Sequence, residues 1–423
     1  MSKAFTTLNC KSFFFLILLV IGSEASFAQL KIYPAPRYRP EKGTLQTTTL
    51  NGRTKTIDDT LKLPFWDDFS TPYGMYPDTT KWVNSYSVWV NNGMAINQPT
   101  INVASFDGMD ANGVPYNPND VFVVGFTDTL TSQPIDLSET GLPVADRESV
   151  YLSFAYQWQG AGEAPDDEDY LQVEFKDTSD AWVPIITISP HPDFDRTLFY
   201  DTIVKVTGKY FHDHFQFRFK SYGRNSGPYD TWNVDYVYLS ANRSISDLTF
   251  PDVAAASPIT SLFKQYYGIP YRHFLVNRSV YPLNFDVTNQ SGSITALGFN
   301  AIASFNNYTN LNNVQVKDSY TVPLVNNFPI QSSGIIAPKE RVRSELSVLP
   351  DPSNTQQFNP AADSVDINIK IELLTPDISD FRVNDTISAN YHLRDYYAYD
   401  DGLAEFTVGL VEAGNQAAYQ FDM

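Results

Sequence analysis

The chain has 423 residues and a formal net charge of −19; 14% of its residues are aromatic, among them 26 Tyr and 29 Phe, and it has one cysteine. That length houses two or three domains, each with its own core, and the aromatic share suits pleated sheets better than helical bundles. So acidic a surface excludes nucleic acid and anionic membranes as partners and favours solubility and divalent cations.

Residues 1–28 read as a secretory signal peptide. Lys3 and Lys11 make a positive start, Ser12 to Gly22 an apolar core, and Ser26-Phe27-Ala28 a small-x-small cleavage site ahead of Gln29. The apolar run is short for a membrane span, and no later stretch approaches the roughly 18 uncharged apolar residues of a transmembrane helix. The expected product is secreted or held at the cell surface. Cys10 precedes the apolar core, so the exported chain has no cysteine and is held by packed cores or ions, not disulfides. Residues 29–63, polar and punctuated by Pro34, Pro36 and Pro40, read as an extended leader.

From 64 to 243 the pattern is strand after strand: Val121 to Phe126, Val150 to Trp158, Tyr170 to Phe175, Trp182 to Ile188, Thr202 to Val206 and Phe215 to Phe219, separated by turns at antiparallel-sandwich spacing. Two strands alternate cleanly. Leu171, Val173 and Phe175 oppose Gln172, Glu174 and Lys176, and Phe215, Phe217 and Phe219 oppose Gln216, Arg218 and Lys220. The closing strand Trp232 to Leu239 is apolar on both sides, with Asp235, Val237 and Leu239 expected on one face and Trp232, Val234, Tyr236 and Tyr238 on the other.

The opening Phe65-Trp66-Asp67-Asp68-Phe69-Ser70, the middle "SVYLSFAYQWQG…DDEDYLQVEF" followed by "AWVPI", and the closing "FQFRFKSYGRNSGPYDTWNVDYVYL" resemble the MAM-like, choice-of-anchor J jelly-roll module of secreted and surface proteins exported by type IX secretion. The resemblance covers 64–243. It implies an extracellular, non-catalytic jelly roll and contact with the secretion machinery.

Residues 244–262, with Pro251, Pro258 and three consecutive Ala, read as a linker. An immunoglobulin-like β-domain is expected over 263–376, with strands at Tyr271 to Val276, Leu283 to Val287, Ile294 to Phe305, Val314 to Val322 and Val365 to Leu373. Residues 377–423 read as the start of a third, truncated β-module, and "YYAYDDGLAEFTVGL" resembles the beginning of a second module of the same secreted proteins. The fold class is therefore all-β.

Carboxylates gather at Asp67 and Asp68 in the opening strand, at Asp166, Asp167, Glu168 and Asp169 before the Tyr170 strand, and at Asp235 in the closing one. Calcium takes six to eight oxygens, and these residues are its candidate ligands. The competing reading is a solvated acidic loop with one hydrogen-bonded core Asp. His212 and His214 form an i, i+2 pair without a further ligand set and read as solvent-facing. Trp158 and Trp232 are the candidate stacking platform for a polysaccharide or surface glycan, although most Trp in sandwiches fill cores.

No G-x-S-x-G elbow, H-E-x-x-H helix or phosphate-cradling glycine loop occurs, and "DDEDYLQVEF" departs from the Glu-x-Asp-x-x-Glu strand of laminarinase-like jelly rolls. Glycosidase carboxylate pairs are recognised only by their separation in space. Two readings follow: a non-catalytic binding or adhesion protein, or the non-catalytic front part of a secreted hydrolase.

Overall fold

The computed structural model describes residues 60–71, 75–83 and 87–400, with the backbone alone of 30–34 and 406–410. The signal peptide expected at 1–28, most of the leader and the residues beyond 410 lie outside the described residues. The fold is all-β. Among the described residues no helix is long and apolar enough to cross a membrane.

In chain order the first strands are β1 (Leu30–Pro34), β2 (Phe65–Asp67), β3 (Trp82–Val83), β4 (Trp89–Asn91), β5 (Val103–Phe106), β6 (Val124–Ser132), β7 (Tyr151–Trp158), β8 (Tyr170–Lys176), β9 (Trp182–Ile188), β10 (Tyr200–Lys205), β11 (Phe217–Arg224) and β12 (Trp232–Ser240). One sheet runs β10-β7-β12-β5-β4 with β2 also on β12, and the other runs β3-β6-β11-β8-β9. Their inner faces meet in one core, where Leu152, Phe154, Trp232, Val234, Val237 and Leu239 of the first sheet pack with Leu171, Val173, Phe175, Phe217 and Phe219 of the second. Full burial of each such side chain is worth about 1.5–3 kcal/mol.

The closing strand departs from the expected alternation. Asp235 pairs with Ala155 and Tyr238 with Ser153, so two residues of β12 oppose one of β7, and Tyr236 takes the left-handed conformation at φ 48°. This is a β-bulge, and the extra residue changes which face the following side chains occupy. Trp232 and Val234 before it, and Val237 and Leu239 after it, all enter the core. Asp235 therefore does not share a face with Val237 and Leu239 as simple alternation implies. Tyr236 packs on Phe250 and Ala155 in a second buried cluster outside the sandwich core.

The second sandwich contains β13 (Val253–Ala255), β14 (Gly268–Pro270), β15 (Leu283–Asn289), β16 (Thr295–Ala296), β17 (Gly298–Leu311), β18 (Val314–Pro329), β19 (Ile335–Ile336), β20 (Arg341–Leu346), β21 (Ser364–Leu374) and β22 (Thr386–Arg394). A three-stranded sheet β13-β15-β20 faces a five-stranded sheet β14-β22-β21-β17-β18, and Phe285, Val287, Phe299, Phe305, Ile367, Ile369 and Tyr391 lie in the core between them.

Three expectations need correction here. The stretch 244–262 is not a linker: β13 pairs with β15, and Ile259 and Leu262 are core residues. Tyr271–Asn277, expected as a strand, is a helix that follows Pro270. It buries Tyr271 and Phe274, an i, i+3 pair that a short apolar run does not distinguish from a strand. Finally, Thr386–Arg394 does not begin a third module, because it pairs with β21 from Glu372 to Val365 and buries Ile387, Tyr391 and Leu393. The Asp-containing segment before it connects β21 to β22 and buries Asp380, Asn384 and Asp385.

The two sandwiches belong to one compact unit. Trp66 stacks on Phe381 at 4.1 Å, the Thr288 hydroxyl donates to the Pro99 carbonyl at 2.5 Å, and Arg341 Nη1 donates to the Gln98 carbonyl at 2.6 Å. β1 and β23 (Phe406–Leu410) form a two-stranded sheet of their own.

Candidate ligand face and metal centre

Alternation along β11 buries Phe217, Phe219, Ser221 and Gly223 and turns Arg218, Lys220, Tyr222 and Arg224 outward. Register then builds an aromatic group on this outer face. Tyr222 pairs with Tyr170 on one side and Phe126 on the other. The two tyrosine rings stack 4.8 Å apart and 1° from parallel, while Phe126 meets them edge-on at 5.4 and 6.2 Å. Phe126 is 44% exposed. The Lys220 ammonium sits 3.3 Å from its ring centroid, and burial lowers the pKa of that lysine.

Beside these rings the face becomes polar. The Arg218 guanidinium lies over Trp182 at 4.1 Å, and its Nε donates to Glu174. Phe122, in the loop entering β6, is 88% exposed. Partly exposed aromatic rings beside a cation and paired polar groups on an open sheet can offer a ligand apolar contact and hydrogen bonds.

At the Arg224 end of this face three carboxylates converge. Asp166 and Asp169 come from the loop before β8 and Asp230 from the turn before β12, with one ligand oxygen of each within 4.8 Å of the others. Backbone amides hold them: Asp166 N–H donates to Asp169 Oδ2 at 2.6 Å, and Arg224 N–H donates to Asp230 Oδ2 at 2.6 Å. Arg224 Nη2 reaches Asp166 Oδ2 at 3.1 Å. Gly223 makes the approach possible, since a Cβ there would stand 2.4 Å from Asp230 Oδ2.

Burial pushes the Asp230 carboxyl up to about 8, and the nearby Asp169 and Glu163 charges push the same way. Asp169 is raised too, chiefly by burial. A buried carboxylate group of this kind either keeps protons or binds a cation. Three carboxylates with carbonyls and water suit a hard divalent ion.

The structure distributes the sequence-predicted residues differently from one another. Asp166 and Asp169 join the triad, whereas Asp167 and Glu168 are exposed and stand outside it. Asp67 is taken up by Lys81 Nζ at 2.9 Å and Trp82 Nε1 at 2.6 Å. Asp68 and Asp235 are buried away from the triad, with Asp235 accepting from Thr100 N–H and hydroxyl and from Tyr236 N–H. Trp232 is fully buried in the core, so its expected place on a binding platform is corrected. Trp158, paired opposite it, is partly buried and packs on the same core.

His212 and His214 lie outside any strand, bonded to the Lys176 carbonyl and to Asp213 respectively. Sequence reasoning missed Asp230, Phe126, Tyr170 and Tyr222. The last two were legible as outward positions on alternating strands, but their pairing across strands was not.

No family model matches the chain, and no curated protein matches it. Among solved structures, the CBM22-1–CBM22-2 tandem of Paenibacillus barcinonensis Xyn10C is 11% identical, covering 84% of this chain and 99% of its own, with a TM-score of 0.21. Bacteroides uniformis β-glucuronidase 2 is 8% identical over 67% of this chain and 28% of its own, at 0.19. The glycoside hydrolase domain of Endo-D from Streptococcus pneumoniae R6 is 10% identical over 73% and 35%, at 0.23. This chain thus spans about a third or less of either hydrolase chain. Such distant likeness adds nothing to the β-sandwich character that the sheets themselves display.

Proposed function

We propose that the chain is a non-catalytic glycan-binding protein of the cell surface or secreted space, taking a polysaccharide across the outer face of β6, β11 and β8. The single observation that carries this reading is the exposed Phe126 ring, backed by the Tyr170–Tyr222 stack and flanked by Lys220. Calcium at Asp166, Asp169 and Asp230 would fix the loops at one end of that face. Binding is expected to be modest, because an open surface buries less ligand than a pocket.

The non-enzymatic reading draws support from how the converging carboxylates are used, on backbone amides and Arg224. The role is the same whether the chain acts in adhesion or precedes a hydrolase. Affinity electrophoresis against a polysaccharide panel tests it, with Phe126→Ala and Tyr222→Ala expected to lose retention while keeping the parent's circular dichroism. Parent protein retained by no polysaccharide, or hydrolysis of any of them, would overturn the reading.

A further inference from the structure

Three segments far apart in sequence bring oxygen-bearing side chains to one buried point between the sandwiches. Asp68 follows β2, Asp252 precedes β13 and Asn384 precedes β22, and each is 1% exposed. Asn384 Nδ2 donates to Asp68 Oδ2 at 2.8 Å and to Asp252 Oδ2 at 2.7 Å. The Tyr236 hydroxyl donates to the same Asp252 oxygen, and Ser70 holds the other oxygen of Asp68 through its N–H and hydroxyl. Asn384 Oδ1 is buried without a hydrogen-bond partner, and the Asp380 carboxyl lies within hydrogen-bonding reach of Asp252. On the neighbouring residues, Lys81 pairs with Asp67, and Arg382 pairs with Asp380 and Asp385.

We propose that Asp68, Asp252 and Asn384 form a cation site that joins the two sandwiches and takes a hard divalent ion of the calcium type. One neutral amide between two buried carboxylates leaves their charge uncompensated. A rotation of the Asn384 amide puts its carbonyl where the NH2 group now lies, and three oxygens of three segments then face one point. That arrangement is repulsive without a cation and favourable with one. Calcium accepts carboxylate and amide oxygens at 2.3–2.6 Å with loose geometry. The neighbouring Asp235 is fully buried as well, so the point is shut off from solvent. Because the ligands come from both sandwiches, an ion here would tie them together, independently of the triad at the outer face.

Equilibrium dialysis of the chelator-stripped protein against calcium chloride tests this, with Asp230→Asn used to remove the triad. Asp252→Asn and Asn384→Leu are each expected to lose one calcium per chain relative to the Asp230→Asn background. Asn384→Asp separates a ligand from a mere hydrogen-bond donor: it should lower the melting temperature in chelator and restore or exceed the parent's in calcium. Unchanged calcium stoichiometry in Asp252→Asn and Asn384→Leu would overturn the site. So would an Asn384→Asp protein destabilised equally with and without calcium, which would mean the group holds protons and only an amide donor is wanted.

Discussion

Trp232 and Phe126 are both aromatic residues on strands of the first sandwich, yet one is fully buried and the other 44% exposed. Trp232→Ala should therefore cost about 3–5 kcal/mol in denaturant unfolding, the range for emptying an aromatic core site. Phe126→Ala should stay within about 1 kcal/mol of the parent and lose polysaccharide retention instead. Equal destabilisation of the two variants would count against the outer-face reading. At Asp67 the expected loss is of another kind, since Asp67→Ala leaves Trp82 Nε1 buried without its acceptor. That should cost about 1–3 kcal/mol, read by the same unfolding measurement.

The loop before β8 and the turn between β11 and β12 act together as one acidic element. Its pH dependence follows from Asp230, whose carboxyl rises from 3.8 to about 8. Below about pH 4 folded and unfolded chains both hold the proton. Between about pH 4 and 8 the unfolded carboxyl ionises while the folded one keeps its proton, so stability falls as pH rises through this window. In chelator the melting temperature should decline across it, and Asp230→Asn should flatten part of the decline. Calcium should raise the melting temperature most near pH 8, where it no longer competes with a proton, by the mass-action gain of a ligand that binds only the folded state. No calcium response at pH 8 in the parent would reject the triad as a metal centre.

For the whole molecule, the stack of Trp66 on Phe381 and the contacts around Pro99 and Arg341 make the two sandwiches neighbours rather than beads on a linker. The parent should unfold in a single calorimetric transition. Phe381→Ala, which removes a stack worth about 0.5–1.5 kcal/mol beyond its buried area, should split or broaden that transition. Two well-separated transitions in the parent would show that the sandwiches are independent.

Strand content, the all-β class and the inward faces of β8 and β11 follow from the sequence alone, because strict alternation of apolar and polar residues is a local property that the pleat converts directly into faces. Other features were decided by the tertiary structure. A bulge at Tyr236 costs one residue of register, and no local pattern announces it, so simple alternation put Asp235 on one face with Val237 and Leu239, and only the pairing of β12 with β7 separates them. Thr386–Arg394 has an alternating pattern that suits any sheet, and only its pairing with β21 assigns it to the second sandwich. Asp230 joins Asp166 and Asp169, and Asn384 joins Asp68, across long sequence separations. Residue type proposes such carboxylates as ligands. Long-range strand pairing determines which of them meet, since the side chains that share a site are brought together by sheets whose register is set by the whole core.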